Sequence, residues 1–326
     1  MRTLGDYLEL SNEAVDEQWA QILARSPLPP GKRQEDFTPI EALLCFFGSL
    51  VVNASRYGST TAHKAPTPVP ELAVLFRRPP SSVLSKMSNL SGAWAHGAKY
   101  EVAVSTNLLT DRGLAESLYQ RILESARAHG VSELDLPDFI GSELAILDQS
   151  QVSDTEIAQA ANESTQTSGA TDTGDKTTQA TREVAVRIGQ FKFARSVLIN
   201  YGYRCAFCGF SPGPGLAGRR LLRASHIKPW RASTNAERVD VANGLAACPN
   251  HDAAFDTGLL HVEDNLIIGI SPALRSSMAA NPILAAAFTP PMLAETLILP
   301  ERATRPAIRY LTWHRLNLAA SDPEAV

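Results

Sequence analysis

The chain has 326 residues, 44% of them hydrophobic, and a formal net charge of -4. That length predicts two domains, and the apolar fraction is ample for packed cores. The longest apolar run, residues 42–52, is too short to cross a bilayer. The N-terminus shows no basic segment followed by an apolar one, so the sequence predicts a cytoplasmic protein without a signal peptide and without a membrane partner.

Residues 1–130 read as mainly helical and carry 13 basic and 13 acidic side chains. Apolar residues recur at three- and four-residue spacing over Glu13–Ala24, Pro39–Val52, Pro70–Arg77, Ser81–Leu90 and Arg112–Ala128. The stretch from Pro70 to Leu90 has helix–turn–helix character. The turn at Arg77–Pro80 ends one helix, and Ser81 or Ser82 caps the next. Val83, Leu84, Met87 and Leu90 would face inward. Ser82, Ser85, Lys86 and Asn89 would face outward as a small polar surface suited to a DNA groove, joined by Arg77 and Arg78. An ordinary helical hairpin is the competing reading.

Residues 131–181 carry 10 acidic side chains and, as the only Lys or Arg, Lys176. From about residue 151 the composition is Ser, Thr, Gln, Gly and Ala, with too little large apolar surface to offset the entropy of ordering, and predicts a flexible linker. Residues 182–238 carry 11 basic side chains against Glu183 and Glu237, a local balance of +9. Such a patch is the electrostatic footprint of a polyanion binder. Val184–Asn200 predicts a helix with Ile188, Phe191, Val197 and Leu198 inside and Arg187, Lys192 and Arg195 on the other side. Leu221–Ile227 predicts a strand, and Ala253–Thr257 belongs to a helix entered near Cys248. Leu259–Val262 and Leu266–Ile270 predict a hairpin. The last fifty residues are rich in Pro and Ala and carry no chemical signal.

Of the four cysteines, Cys205, Cys208 and Cys248 share a spacing that suits metal and not a disulfide framework. Cys45 lies in an apolar helix and reads as a core residue. Cys205 and Cys208 form one two-residue knuckle, and Cys248 and His251 form another. Three thiolates and one imidazole suit tetrahedral Zn²⁺, and the spacer lets both members of each pair reach one ion. A structural zinc would staple a module too small to bury much core. The alternative is that His251 serves a catalytic metal instead.

Between the knuckles lie Ala224-Ser-His-Ile-Lys-Pro-Trp230 and Asn243-Gly-Leu245. Cys205 to Leu260 resembles the HNH branch of the ββα-metal nucleases, and upstream Arg187–Arg195 and Tyr201–Cys205 fit the helix that usually precedes that module. It looks in particular like the type with a Ser-His-Ile-Lys-Pro-Trp strand and an Asn-Gly-Leu helix entry, which occurs in restriction endonucleases including McrA-like enzymes. Together with the periodicity and composition upstream, this gives an α+β chain: a mainly helical N-terminal DNA-reading domain (1–130), an acidic segment and flexible linker (131–181), and, as the resemblance implies, a C-terminal zinc-stapled nuclease domain (182–326). The resemblance implies that His226 is the general base, an assignment that imidazole suits because it titrates near neutrality. It implies that Asn243 either orients the base or ligates a divalent metal. Asp252 stands where the family usually has its last metal-binding histidine, which points to Mg²⁺ or Mn²⁺. Asp256, four residues on, is a second candidate ligand, with a helix-cap or Arg-partner role as the alternative. Ser225 stands where many relatives have a His or Asp ligand. Arg187, Lys192, Arg195 and Lys228 are candidate DNA contacts. The expected function is a metal-dependent DNA endonuclease of a restriction system, cutting foreign and modified (methylated) DNA. The expected partner is double-stranded DNA, with a second copy of the chain as a further candidate. The alternatives are a sequence-specific type II or mobile-element nuclease, and a zinc-containing DNA-binding regulator that does not cut.

Overall fold

A computed structural model describes residues 2–26, 34–92, 100–141, 144, 146–147, 153–167, 176–213 and 221–319. Contacts divide the chain into two compact units: 1–147 with 154–189, and 148–153 with 190–326.

The first unit is helical throughout its described residues: α1 (Gly5–Leu8), α2 (Asn12–Ala24), α3 (Pro39–Val51), α4 (Val69–Leu75), α5 (Pro80–Leu90), α6 (Glu101–Thr110), α7 (Arg112–Ala128) and α8 (Asp154–Thr167), followed by the start of α9 (Lys176–Asn200). Helix α3 is apolar on nearly every side, so it must lie at the centre. All of its residues but Val51 are buried, with Leu43, Phe46, Phe47 and Leu50 at 0% exposure. Thr38 and Glu41 close its N-terminus in a reciprocal capping box. Helices α5 and α7 pack on it, and the indole N–H of Trp19 on α2 donates to the Ile122 carbonyl of α7 at 3.0 Å.

The buried carboxylate of Glu41 accepts from the Thr38 N–H at 2.7 Å, from Arg25 at 2.6 Å and from Arg78 at 3.3 Å. Burial works to raise its pKa, but those partners hold the carboxyl below its ordinary range. This corrects the reading of Arg78 as a DNA contact. Its side chain is 2% exposed, and its guanidinium lies over the Phe37 ring. Lys86 is likewise bound to Glu101, and its ammonium lies 4.9 Å from the Phe37 ring centroid. On α5, Val83, Leu84, Met87 and Leu90 are buried, while Ser82, Ser85 and Asn89 are half-buried. The N-cap is Pro79 with Pro80 in the first turn, not Ser81 or Ser82. Proline presets the backbone there and has no N–H to satisfy. Arg77 is exposed with φ +52° and lines a cleft of about 500 Å³ together with Glu71, Val74, His129 and Asp135.

Among the longer helices of this unit, two were not expected. Helix α6 contains the β-branched Val102, Val104, Thr106 and Thr110 and has weak intrinsic propensity; burial of Val104, Leu108 and Leu109 forms it. Within the tract read as a flexible linker, α8 buries Ile157, Ala160 and Ala161, a three-/four-residue stripe too small to stand out in a polar sequence. Residues 148–152 and 168–175 of that tract lie outside the described residues.

In the second unit, the end of α9 packs Phe191, Phe193, Val197 and Leu198 inward. Strands β1 (Arg223–His226) and β2 (Gly244–Ala247) form an antiparallel pair with Arg223 opposite Ala247 and His226 opposite Gly244. Helix α10 (Pro249–Asp256) follows directly, giving ββα order. The Asn-Gly-Leu segment therefore enters a strand, not a helix; the helix starts after Cys248. A Cβ on Gly244 would lie 2.3 Å from Val197 and 3.0 Å from Phe193, so only glycine lets α9 sit against β2. The predicted hairpin forms as β3 (Leu260–Val262) and β4 (Ile268–Ile270).

The C-terminal residues, silent in the sequence, brace this unit. Beyond α11 (Pro272–Ala280) and α12 (Pro282–Ala287), Ala294 N–H and Ile298 N–H donate to the Phe207 and Ala206 carbonyls at 2.8 and 2.7 Å. Helix α13 (Ile308–His314) brings His314 onto Phe255 of α10, with ring planes 7° apart and centroids at 3.9 Å. No helix among the described residues is long and apolar enough to cross a membrane.

Candidate nuclease and metal site

The metal knuckle is set by backbone turns. After α9, Gly202 and Tyr203 adopt positive φ and turn the chain. Cys205 N–H donates to the Phe210 carbonyl and Gly209 N–H to the Cys205 carbonyl, both at 2.8 Å, with Gly209 at φ +72°. This loop holds Cys205 and Cys208 side by side. Cys248 is the N-cap of α10, and His251 sits in its first turn. The ligand atoms of Cys205, Cys208, Cys248 and His251 all lie within 4.8 Å of one another. The His251 Nδ1 is 3.2 Å from Cys248 Sγ and 3.7 Å from Cys205 Sγ. Hydrogen bonds from Cys205 and Cys208 hold the Cys248 thiol far below the ordinary thiol range. Three sulfurs and one ring nitrogen converging this closely are a Cys3His metal-binding group.

The second feature arises from two periodicities. Residues 223 and 225 share one face of β1, and residues 252 and 256 share one face of α10. The two faces meet. Arg223 Nη1 donates to Asp252 Oδ2 at 2.9 Å, and Ser225 Oγ donates to Asp256 Oδ1 at 3.0 Å. Asp252 is 1% exposed, whereas Asp256 stands at the exposed end of the helix. The crowding of protein atoms around Asp256 first, and the Asp252 charge second, push its carboxyl up to about 6, against the Ser225 hydrogen bond and the Arg223 charge. Arg223 went unnoticed in the sequence; its i,i+2 spacing from Ser225 was the available signal.

His226 takes the opposite parity on β1. Its ring stacks on Phe193 with centroids 3.9 Å apart and planes at 11°, with Trp230 edge-on. Its Nε2 lies 3.0 Å from the Arg238 carbonyl oxygen. A carbonyl only accepts, so Nε2 carries the proton and Nδ1 carries the lone pair. Burial first, then the Arg238 charge, lowers the His226 pKa to about 4 despite that hydrogen bond. The imidazole is therefore neutral at neutral pH.

Asn243 explains how the Arg238 carbonyl comes to be there. Its Oδ1 accepts from the Lys228 N–H at 2.8 Å, and its Nδ2 donates to the Lys228 and Glu237 carbonyls at 3.2 and 3.1 Å. At 0% exposure it is wholly enclosed by the loop it clamps. Of the two roles expected for Asn243, this clamp suits orienting the base, and its amide oxygen already accepts from the Lys228 N–H. Lys228, a candidate DNA contact, is largely covered and bound to Glu237 at 2.8 Å. Arg187, Lys192 and Arg195 are half-buried along α9.

One unit thus holds a ββα element order, a Cys3His metal-binding group, a histidine with a fixed tautomer and two carboxylates on one helix. Residues 205–263 match the family model described as HNH endonuclease. The chain carries an HNH endonuclease domain. No curated protein matches the chain. The HNH domain supports nuclease activity on DNA, and its strand, loop and helix hold the residues described above.

Proposed function

We propose that the protein is a divalent-metal-dependent DNA endonuclease of a restriction system that cuts foreign DNA, with methylated DNA as its preferred target. The observation that carries the nuclease reading is His226. Its Nε2 proton is tied to the Arg238 carbonyl, so Nδ1 is the one ring atom able to take a proton from an attacking water. As the water oxygen bonds to phosphorus and the 3′ oxygen departs, that proton resides on His226. Phe193 and Trp230 fix the ring plane, and Asn243 is a positioning residue acting through the 228–243 loop.

Asp252, Asp256 and the Ser225 hydroxyl offer only oxygen donors, which fit a hard cation such as Mg²⁺ or Mn²⁺. Bound there, such an ion would stabilise charge on the phosphate and the leaving oxygen. Asp252 would be shared with Arg223, and Asp256 would need to be deprotonated. The Cys3His group suits Zn²⁺ in a structural role. In the larger organisation we propose, residues 1–130 read DNA, residues 131–181 connect, and residues 182–326 cut. Discrimination of methylated DNA would lie with the first of these.

The test is cleavage of matched methylated and unmethylated plasmids with Mg²⁺ or Mn²⁺, by the wild type and by His226→Ala. The variant should lose about 10²–10⁴ in rate while keeping its metal content and DNA affinity. Wild-type nicking by His226→Ala removes the general base from the account. Equal cutting of both plasmids leaves the nuclease standing and refutes the preference. Binding without any cleavage favours a non-cutting regulator.

A further inference from the structure

The first unit carries its accessible positive charge somewhere other than the α5 surface. Between Glu41 and Glu101 the sequence holds six Lys or Arg and a single carboxylate, Glu71. The fold then sorts those cations. Arg78 and Lys86 are bound to Glu41 and Glu101, and Arg77 shares its cleft with Glu71 and Asp135. Lys99 lies outside the described residues, and among the described ones Arg56 and Lys64 remain, both exposed, with His63 exposed beside Lys64. They occupy one segment, residues 53–65, between α3 and α4.

That segment is built, not loose. Two short 3₁₀ turns, Ala54–Arg56 and Ala62–Lys64, carry the basic residues. Ala54, Ala62 and Ala65 are buried and anchor it, and both turns pack against α5. Between them, the Gly58 N–H donates to Thr61 Oγ1 at 2.9 Å and Ser55 Oγ donates to Asn53 Oδ1 at 2.7 Å. Gly58, Ser59 and Thr60 at the tip are exposed. A small-residue tip with free hydroxyls, flanked by an arginine and a lysine in a stretch without a single acid from 42 to 70, matches the donor set that grips phosphates. Preorganised backbone also lowers the ordering cost of binding.

We infer that residues 53–65 are the phosphate-gripping surface of the first unit, with the backbone of duplex DNA as partner and Arg56 and Lys64 as its charged contacts. This rests on the reading of the chain as a DNA enzyme and moves the expected contact from the α5 surface to the adjoining loop. An acidic protein surface would be attracted by the charge but would not need the narrow hydroxyl-bearing tip.

The experiment uses the full chain in a His226→Ala background, so that binding is measured without cutting. Duplex affinity is followed across a salt series with and without Arg56→Gln/Lys64→Gln. Losing two phosphate contacts should flatten the slope of log K against log salt by about 1.8 and weaken binding at least about tenfold at low salt. The charge-preserving pair Arg56→Lys/Lys64→Arg should restore most of the slope. If the Gln pair binds as its parent does, the loop is not the surface, although the DNA reading stands. If the parent itself does not bind duplex, both readings fall together. If the charge-preserving pair fails as badly as the Gln pair, the effect is one of folding and not of charge. Loss of polyglutamate binding with duplex binding intact would assign the surface to an acidic protein and overturn the proposal.

Discussion

The helical unit and the nuclease unit each bury charged or ligating groups, but they compensate them differently. In the first, Glu41 sits inside an apolar core and is neutralised by the chain's own Arg25 and Arg78. In the second, the strands are four or three residues long, and the Cys3His group gathers two distant knuckles around a ligand position. The helical unit thus supplies its own countercharge, while the second unit gathers a ligand set suited to a cation. The carboxylates differ accordingly: Glu41 is wholly enclosed, whereas Asp256 stands at the exposed end of its helix.

The widest separation between the units should come from metal removal. Cys248→Ser, or chelation, should remove on the order of 10 kcal/mol from the nuclease unit and leave the unfolding transition of the helical unit in place. Calorimetry with parallel metal analysis checks this; an unchanged nuclease transition in metal-free protein would sink it. The reverse lesion is Glu41→Gln, which strands two arginines in the core. It should cost the helical unit about 3–5 kcal/mol, read from its denaturant transition, with the metal content of the second unit unaffected. A loss under about 1 kcal/mol would show that Glu41 is not the keystone of that core.

Asn243→Ala sharpens the contrast within the nuclease unit. Leaving the Lys228 and Glu237 partners unmade should cost about 1–3 kcal/mol. Cleavage should fall toward the level of His226→Ala, because the Arg238 carbonyl no longer holds the imidazole tautomer. Divalent-metal affinity, measured by calorimetric titration, should stay the same. A large loss of metal affinity would restore Asn243 as a ligand.

The smallest effect concerns pH. Burial first, then the nearby His261 and Arg315 charges, lower the His314 pKa from 6.5 to about 4, against its bond to the Phe255 carbonyl. The unfolded chain then takes up a proton that the folded chain refuses. The contribution of His314 is fully present above about pH 6.5 and is lost as pH falls toward 4. At pH 5 that loss is about 2 kcal/mol. His314→Gln keeps an N–H donor and cannot titrate, so the midpoint of the nuclease unit should vary less between pH 7 and 5. Identical pH profiles for the two proteins would contradict this role.

Much of the second unit was legible because its chemistry is local. Two-residue spacers announced the Cys3His group, and short apolar runs around Glu-Asp-Asn announced the β3–β4 hairpin. Most helices of the first unit were legible for the same reason, since apolar periodicity acts within one element. Residue type and spacing therefore determined the Cys3His set, the two carboxylates on one face of α10 and the core faces of α2, α3, α5 and α7. The partners of the charged residues were a different matter. Arg78 and Lys86 have the same composition whether they meet phosphate or Glu41 and Glu101, and those acids lie 37 and 15 residues away. The Arg223–Asp252 pair, the clamp of Asn243 on its loop, the docking of His314 on Phe255 and the burial that forms α6 and α8 likewise depend on contacts distant in sequence. Only the tertiary structure decided them, because the energy of a charge or a weak helix former is set by what surrounds it and not by its neighbours along the chain.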